Sequence, residues 1–500
     1  MKKTRVAFSV AILLSVFFFA ACSKNSDPSP SGTSGSDDDN TEIHEADSDY
    51  NWASTDMNTI TLNGSSVTVG GTGATASGSK VTITKAGNYT ITGSLTNGQV
   101  IVNTEDKAIV RLILNGVDIT CANSSPIYIK KAAKTLIVLA ENTQNKLTDG
   151  ASYVYDDIAE EEPNATIFSK DDLSFYGTGT LTIKANFADG IASKDGLIIK
   201  SGNITVNAAD DAIRGKDYLI IRDGNINATA KADGLKSSND SDAALGYIII
   251  DKGSINIDAG DDAIHAETKL TINGGDINII KSYEGLEGKE ITINDGIIHL
   301  VSSDDGINVA DGSGNEGGFG GMPVSTSTSG LNLYINGGYI YVNANGDGLD
   351  SNGSITMTGG TVIVNGPTAN NNGPLDYDGS FKITGGYLVA VGSSGMAQLP
   401  GTSSTQNSVL VNFTAAQNAG TLIHIQSNDG KELITFKPAK KYQSIAFSSK
   451  GLANGSYDAY LGGSSTGTEK DGLYTNGAYT SGTKNTSFTV SSVVTKVNAR

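Results

Sequence analysis

An acid, then Gly or Ala, then Ile or Leu: this phrase recurs along the chain at a regular step, and carboxylates so placed can hold a hard cation. It reads Asp189-Gly190-Ile191, Asp211-Ala212-Ile213, Asp233-Gly234-Leu235, Asp262-Ala263-Ile264, Glu284-Gly285-Leu286, Asp305-Gly306-Ile307 and Asp347-Gly348-Leu349. The steps between acids are 22, 22, 29, 22, 21 and 42 residues, the last spanning a Gly/Ser-rich stretch from Asp311 to Gly330 that reads as an insertion. If successive repeats stack, neighbouring carboxylates lie about 5 Å apart and repel by ~1 kcal/mol in water, more where solvent is excluded. Such a column persists if its members are solvated, hydrogen-bonded at turns, or bridged by cations. Oxygen ligands on rigid turns, with no Cys or His cluster, suit Ca²⁺ rather than zinc. The candidate ligands are Asp189, Asp210, Asp211, Asp233, Asp261, Asp262, Glu284, Asp304, Asp305 and Asp347. The competing explanation is that Asp is simply a good turn residue, its side chain bonding nearby backbone.

Three residues past each acid runs a second column: Ala192, Arg214, Lys236, His265, Glu287, Asn308 and Asp350. Its basic stretch, Arg214, Lys236 and His265, flanks the acids over three coils, with Lys194 and Lys216 close by in sequence. Cations beside carboxylate-held calcium suit an acidic polymer, since Arg pairs carboxylates in bidentate fashion. The same residues could equally be ion pairs that neutralise the acid column. Tyr339 and Tyr341 offer a further route to sugar binding, as flat rings on one strand face, and plain packing is the alternative for them.

These residues need elements to position them. A turn glycine followed by a strand keeps the same step, at Gly202, Gly224, Gly253, Gly275, Gly296, Gly338, Gly360 and Gly386. Between the glycines lie short runs such as Ile204-Thr205-Val206 and Leu270-Thr271-Ile272, alternating apolar with polar residues and bounded by Gly, Asp and Asn. About three runs fit each repeat, and no segment keeps a helical period. Two markers in one register predict an all-β solenoid, a parallel β-helix of about 22 residues per coil. A β-sandwich with accidental periodicity is the alternative. Weaker runs from Val81 to Leu139 extend the pattern toward the N-terminus, giving a β-helix over 51–400. Longer runs such as Val409–Phe413 and Thr421–Ile425 read as a small antiparallel β domain at 401–500, covering the open end of the rod.

Residues 1–22 read as a signal sequence: Lys2, Lys3 and Arg5, an apolar run from Val6 to Phe19, then Phe19-Ala20-Ala21-Cys22, which resembles a bacterial lipobox. Lipidation at Cys22 would anchor the protein in a membrane, on the outer membrane or cell surface. A plain secretory signal is the alternative. Residues 23–50 are polar, acidic and Pro/Ser/Gly-rich, as in a disordered tether. Only Cys121 accompanies Cys22, so no intrachain disulfide is expected in a mature lipidated chain. With 35 Lys and Arg against 53 Asp and Glu, a net charge of −18, the composition argues against nucleic acid as a partner.

The coil phrases above, together with Asn273-Gly274-Gly275 and Asn336-Gly337-Gly338, resemble the polysaccharide-lyase-like β-helix family of carbohydrate-binding proteins found in cellulose-degrading and gut bacteria. So do the stretches Phe436-Lys437-Pro438-Ala439-Lys440-Lys441-Tyr442-Gln443-Ser444 and Gly462-Gly463-Ser464-Ser465-Thr466-Gly467. The resemblance covers roughly residues 50–495. It implies a right-handed β-helix, bound calcium, and affinity for cellulose-like and acidic plant polysaccharides. The expected function is therefore a surface-tethered, monomeric polysaccharide binder without catalysis. One alternative is a calcium-dependent uronate lyase with Arg214, or failing it Lys236, as base. Another is an adhesin or rod-like spacer without a ligand.

Overall fold

Each repeat forms three short strands, and each strand pairs in parallel with its counterpart one coil later. Asp189–Ser193, Gly196–Ile199 and Asn203–Ala208 make one coil; Ile213–Gly215, Tyr218–Ile221 and Asn225–Thr229 make the next. The registers set Ile191 beside Ile213, Leu197 beside Leu219, and Ile204 beside Ile226. The computed structural model describes residues 44–53, 57–155, 159, 161–311, 330–480 and 482–499. The signal sequence with Cys22, tether residues 23–43 and insertion residues 312–329 lie outside the described residues.

The first-strand column holds over the whole repeat. Ile191, Ile213, Leu235, Ile264, Leu286, Ile307 and Leu349 follow one another in register, all 0 % exposed. It continues backward through Ile167, Ile127, Val100 and Val81, where the sequence phrase is absent. Parallel registers between sequential units exclude the sandwich, whose sheets are built from antiparallel strands. The chain is all-β among the described residues, apart from one 3-10 turn at Asp47–Tyr50, and its long parallel ladder is compatible with a β-helix.

The glycine marker has a steric cause. Gly224 sits at φ +133°, and a Cβ there would lie 2.9 Å from the carbonyl oxygen of Gly202 in the coil before. The turn therefore needs both a backbone conformation and a closeness that side chains forbid.

Both ends differ from the middle. Met57–Gly64 pairs antiparallel with Val67–Gly70, and Ala74–Ser77 with Lys80–Ile83. At the far end Tyr442–Ser449 runs antiparallel to Tyr387–Gly392, the last parallel strand of the third column, and pairs on its other side with Ser408–Gln417. A second sheet then packs over the outward face of that column: Ile363, Val389 and Val391 share a core with Val411, Phe436 and Phe447. The tether expectation also needs trimming at its C-terminal end. Tyr50 is buried among Ile113, Leu136 and Val138, Arg111 Nε donates to the Asp49 carbonyl at 3.0 Å, and Arg222 pairs with Glu45 at 2.7 Å. Residues 45–50 thus lie against the body, because buried rings and ion pairs offset their ordering entropy.

Ile213→Asp should cost about 3–5 kcal/mol, since the core column offers the charge neither water nor a partner. Thr205→Asp, on the exposed face of the third strand, should cost less than about 0.5 kcal/mol. Denaturant unfolding of the two variants checks the assignment, and similar costs would contradict it.

Candidate functional site

The acids of the repeat sit where one coil turns into the next, at the start of the first strand or just before it, and most use their two oxygens differently. One oxygen accepts from the backbone N–H of the acid in the following coil. Asp233 N donates to Asp211 Oδ1 at 3.1 Å, Asp262 N to Asp233 Oδ1 at 3.0 Å, and Glu284 N to Asp262 Oδ1 at 3.3 Å. After the insertion the pattern resumes: Asp347 N donates to Asp305 Oδ1, and Gly373 N to Asp347 Oδ1. The carboxylates are thus part of the turn scaffold, which answers why an acid recurs even where it is almost fully buried.

The second oxygen meets a counter-charge over the first four acids. Arg214 Nε donates to Asp189 Oδ2 at 3.0 Å and lies 3.6 Å from Asp211 Oδ2. Lys236 donates to Asp233 Oδ2 and lies 3.8 Å from Asp211 Oδ2. His265 Nδ1 lies 3.0 Å from Asp262 Oδ2 and 2.6 Å from Glu287 Oε2. Burial pulls the Arg214 and Lys236 pKa values down, but the neighbouring aspartates outweigh it and hold both above their ordinary values. Burial likewise opposes the charge on His265, yet Asp262 and Glu287 push it up to about 10. The three cations are paired with the column, the arrangement weighed above as the alternative to glycan contact. Lys194 instead pairs with Glu162, while Lys216 has no ion pair among the described residues.

Past His265 the column of partners changes sign, because the equivalent positions are Glu287, Asn308 and Asp350. Asn308 Nδ2 donates to Glu284 Oε2 at 2.7 Å, and no cation pairs with Asp347 or Asp350 among the described residues. Burial, then the charges of Asp305 and Asp347, raise Asp350 to about 8. Burial also raises Glu284 to about 9, with Asp262, Glu287 and Asp305 adding to it and Asn308 opposing. Asp347 rises to about 6, chiefly through burial. The Asn308 side-chain oxygen is buried without a hydrogen-bond partner among the described residues. Two tighter groups also stand within reach of one ion: Asp233, Asp261 and Asp262, and Asp262, His265 and Glu287. Asp210 and Asp261 are exposed and Asp304 is half-buried.

The tyrosines stand apart, on the third strand of their coil. Tyr339 Oη donates to Asp471 Oδ2 at 2.7 Å, Lys470 Nζ lies 3.7 Å from the Tyr339 ring centre, and His299 reaches the same carboxylate at 3.0 Å. Residues of the C-terminal sheet therefore occupy this platform. The structure brings Arg214, Lys236 and His265 together with the acids, but neither tyrosine with them. Glu287, Asn308 and Asp350 are candidate positions not singled out as ligands from the sequence, although their place three residues past an acid was the available signal.

Removing Arg214 leaves Asp189 and Asp211 buried and under-paired, so Arg214→Ala should cost about 3 kcal/mol or more in denaturant unfolding. A cost below about 1 kcal/mol would mean the pair is not structural. The raised acids set a pH dependence in chelator. Glu284, ordinarily near 4.5 and about 9 when folded, stabilises fully below its unfolded value and loses that contribution as pH rises toward 9. Stability without divalent cations should accordingly fall from about pH 5 to pH 9. Glu284→Gln should flatten the slope and gain more than about 1 kcal/mol at pH 8.

With this geometry in hand, comparison with known proteins gives three matches. A family model described as carbohydrate-binding domain-containing protein matches residues 77–328. A carbohydrate-binding domain-containing protein of Acetivibrio thermocellus is 46 % identical over 200 residues, which is 40 % of this chain and 70 % of that protein. A solved polysaccharide lyase-like protein from C. thermocellum, a gadolinium derivative, is 36 % identical and aligns with 51 % of this chain and 97 % of its own, with a TM-score of 0.44. The family match spans half of the chain and the curated relative is covered over more than two thirds of its length, so this chain belongs to the family of carbohydrate-binding domain-containing proteins.

Proposed function

We propose that this protein binds polysaccharide without cleaving it, on a right-handed parallel β-helix whose last coil is closed by the C-terminal sheet. The change of sign along the acid column carries the reading. Its first part is neutralised by Arg214, Lys236 and His265, whereas its later part leaves buried acids facing Glu287, Asn308 and Asp350. That later part fits Ca²⁺, because its donors are all oxygens and the Asn308 carbonyl oxygen is buried without a partner among the described residues. Asn308, Asp305, Asp347 and Asp350 would hold the ion, with the group at Asp233, Asp261 and Asp262 as a second position. Bound calcium would offset the mutual repulsion of the column and present positive charge to an acidic glycan. The glycan, cellulose-like or acidic, would lie along the stacked coils, and the family's carbohydrate-binding description supports a sugar as the ligand.

The state of Arg214 and Lys236 supports a reading without catalysis. A lyase needs a neutral base near the substrate's acidified proton. Arg214 and Lys236 are instead held protonated by the carboxylates they pair with. The lipobox-like Cys22 and the polar residues behind it support a lipid-anchored monomer at the outer membrane or cell surface. The acidic composition supports a partner other than nucleic acid.

Retention of the full chain on polygalacturonate and cellulose beads tests the binding, with and without calcium. Calcium should raise the melting temperature of the wild type, and Asp350→Asn with Asp347→Asn should remove most of the increment. A melting curve indifferent to calcium and chelator would leave the turn-scaffold role as the whole explanation of the acids. Release of unsaturated products from polygalacturonate, lost in Arg214→Ala, would make the protein a lyase.

A further inference from the structure

The third strand of each coil turns alternate residues outward, and over the middle coils that face carries almost no charge. Across Thr180–Ala185, Asn203–Ala208, Asn225–Thr229 and Ser254–Asp258 the outward positions are Thr, Asn or Ser, apart from Lys184 and Asp258. In a chain of net charge −18, whose first strands carry the acid column, this neutral face is a distinct surface. Parallel registry stacks its groups: Thr182, Thr205, Asn227, Asn256 and Asn278 follow one another, one per coil. The amides hold one another in place. Asn256 Nδ2 donates to Asn227 Oδ1 at 3.2 Å, and Asn278 Nδ2 to Asn256 Oδ1 at 3.2 Å. Each amide has a second N–H, and the exposed hydroxyls of Thr182 and Thr205 can both donate and accept.

Further along, the same rows turn apolar. Asp276 is followed in register by Ile297, and Asn278 by His299, with Val301 two residues further along that strand. Ile297 is 42 % exposed, Val301 41 % and, in the coil before, Ile280 56 %. These are three of the six large apolar side chains left exposed among the described residues, so the patch is a local concentration of apolar surface. Beyond it Lys470 and Asp471 stand against Tyr339, and the C-terminal sheet closes the face at that end.

We infer that the third-strand face binds an uncharged, hydroxyl-rich polymer, a β-linked glucan such as cellulose, along the axis of the stacked coils. Amides and hydroxyls exchange water for sugar hydroxyls at little cost, whereas a charge covered by a neutral ligand is left with its desolvation uncompensated. A face nearly free of charge therefore suits a neutral chain and gives nothing to a polyanion. The hydroxyl edges of the glucan fit the amide and hydroxyl row, and its C–H faces fit Ile297 and Val301. Repetition at one coil's spacing suits a repeating ligand, because contacts that are weak singly add along its length. The inference deepens the polysaccharide-binding reading and rests on it: acidic glycan stays with the acid column, and neutral glycan takes a separate face.

Retention of the full chain on cellulose beads, with titration calorimetry against cellohexaose and cellobiose, tests it. Wild type should bind cellohexaose at least about tenfold more tightly than cellobiose. Thr205→Asp and Ile297→Asn should each weaken cellohexaose at least about fivefold, and Ile297→Val should retain it. Melting temperature and retention on polygalacturonate beads in calcium should be unchanged in all three variants. Added salt should release the protein from polygalacturonate and leave it on cellulose. Wild-type cellohexaose affinity in the combined Thr205→Asp and Ile297→Asn variant would overturn the inference, as would cellulose retention that salt abolishes. Concentration-dependent dimerisation of wild type, lost in Ile297→Asn, would give the patch to a second copy of the chain and overturn it too. If cellulose fails to retain wild type while polygalacturonate does, the inference fails and the broader reading stands. If neither polymer retains it, that reading fails as well.

Discussion

The structure depends on a spacing. Stacked parallel strands lie about 4.8 Å apart, so whatever a repeat places at one position is met at that distance by its copy in the next coil. For Ile and Leu the constraint is favourable, and the column from Val81 to Leu349 becomes a continuous dry core. For the acids the same spacing is costly. In Asp211, Asp233, Asp262, Asp305 and Asp347 one oxygen accepts from the next coil's backbone N–H, which makes the carboxylate a link between coils as well as a charge.

Having fixed the carboxylates in place, the fold must deal with their charge, and it does so in two ways along one line. Over the early coils protein cations neutralise the column, and over the later coils acids and an amide occupy the same register. The pKa values follow that division in part: Asp211 rises to about 7 through burial and the Asp189 charge, with Lys236 opposing, and Asp350 and Glu284 rise further, while Asp347 rises only to about 6. Under the proposed function, the neutralised stretch would be stable without help, and the stretch short of cations would be open to one, which would link stability to ligand supply.

The irregular parts matter as much as the repeat. Strand Tyr442–Ser449 pairs with the edge of Tyr387–Gly392, and the separate C-terminal sheet lays its apolar face over Ile363 and Val389. In doing so it covers the Tyr339 platform with Asp471 and Lys470. Docking of Glu45–Tyr50 on the outer strand faces sets where the chain leaves the body.

Periodicity alone determined the elements, their parallel stacking and the buried column, because a one-dimensional repeat converts sequence spacing directly into spatial registry. It also located the acids and the cations beside them. Tertiary structure decided what those charges do. Whether Arg214 points at a glycan or at Asp189 depends on rotamer and burial, which spacing does not encode, and the buried Asp189 carboxylate captures it. The early coils and the occupied tyrosine face depend on contacts between segments far apart in sequence. His299 and Asp471 meet across 172 residues, and no local pattern announces such a pair.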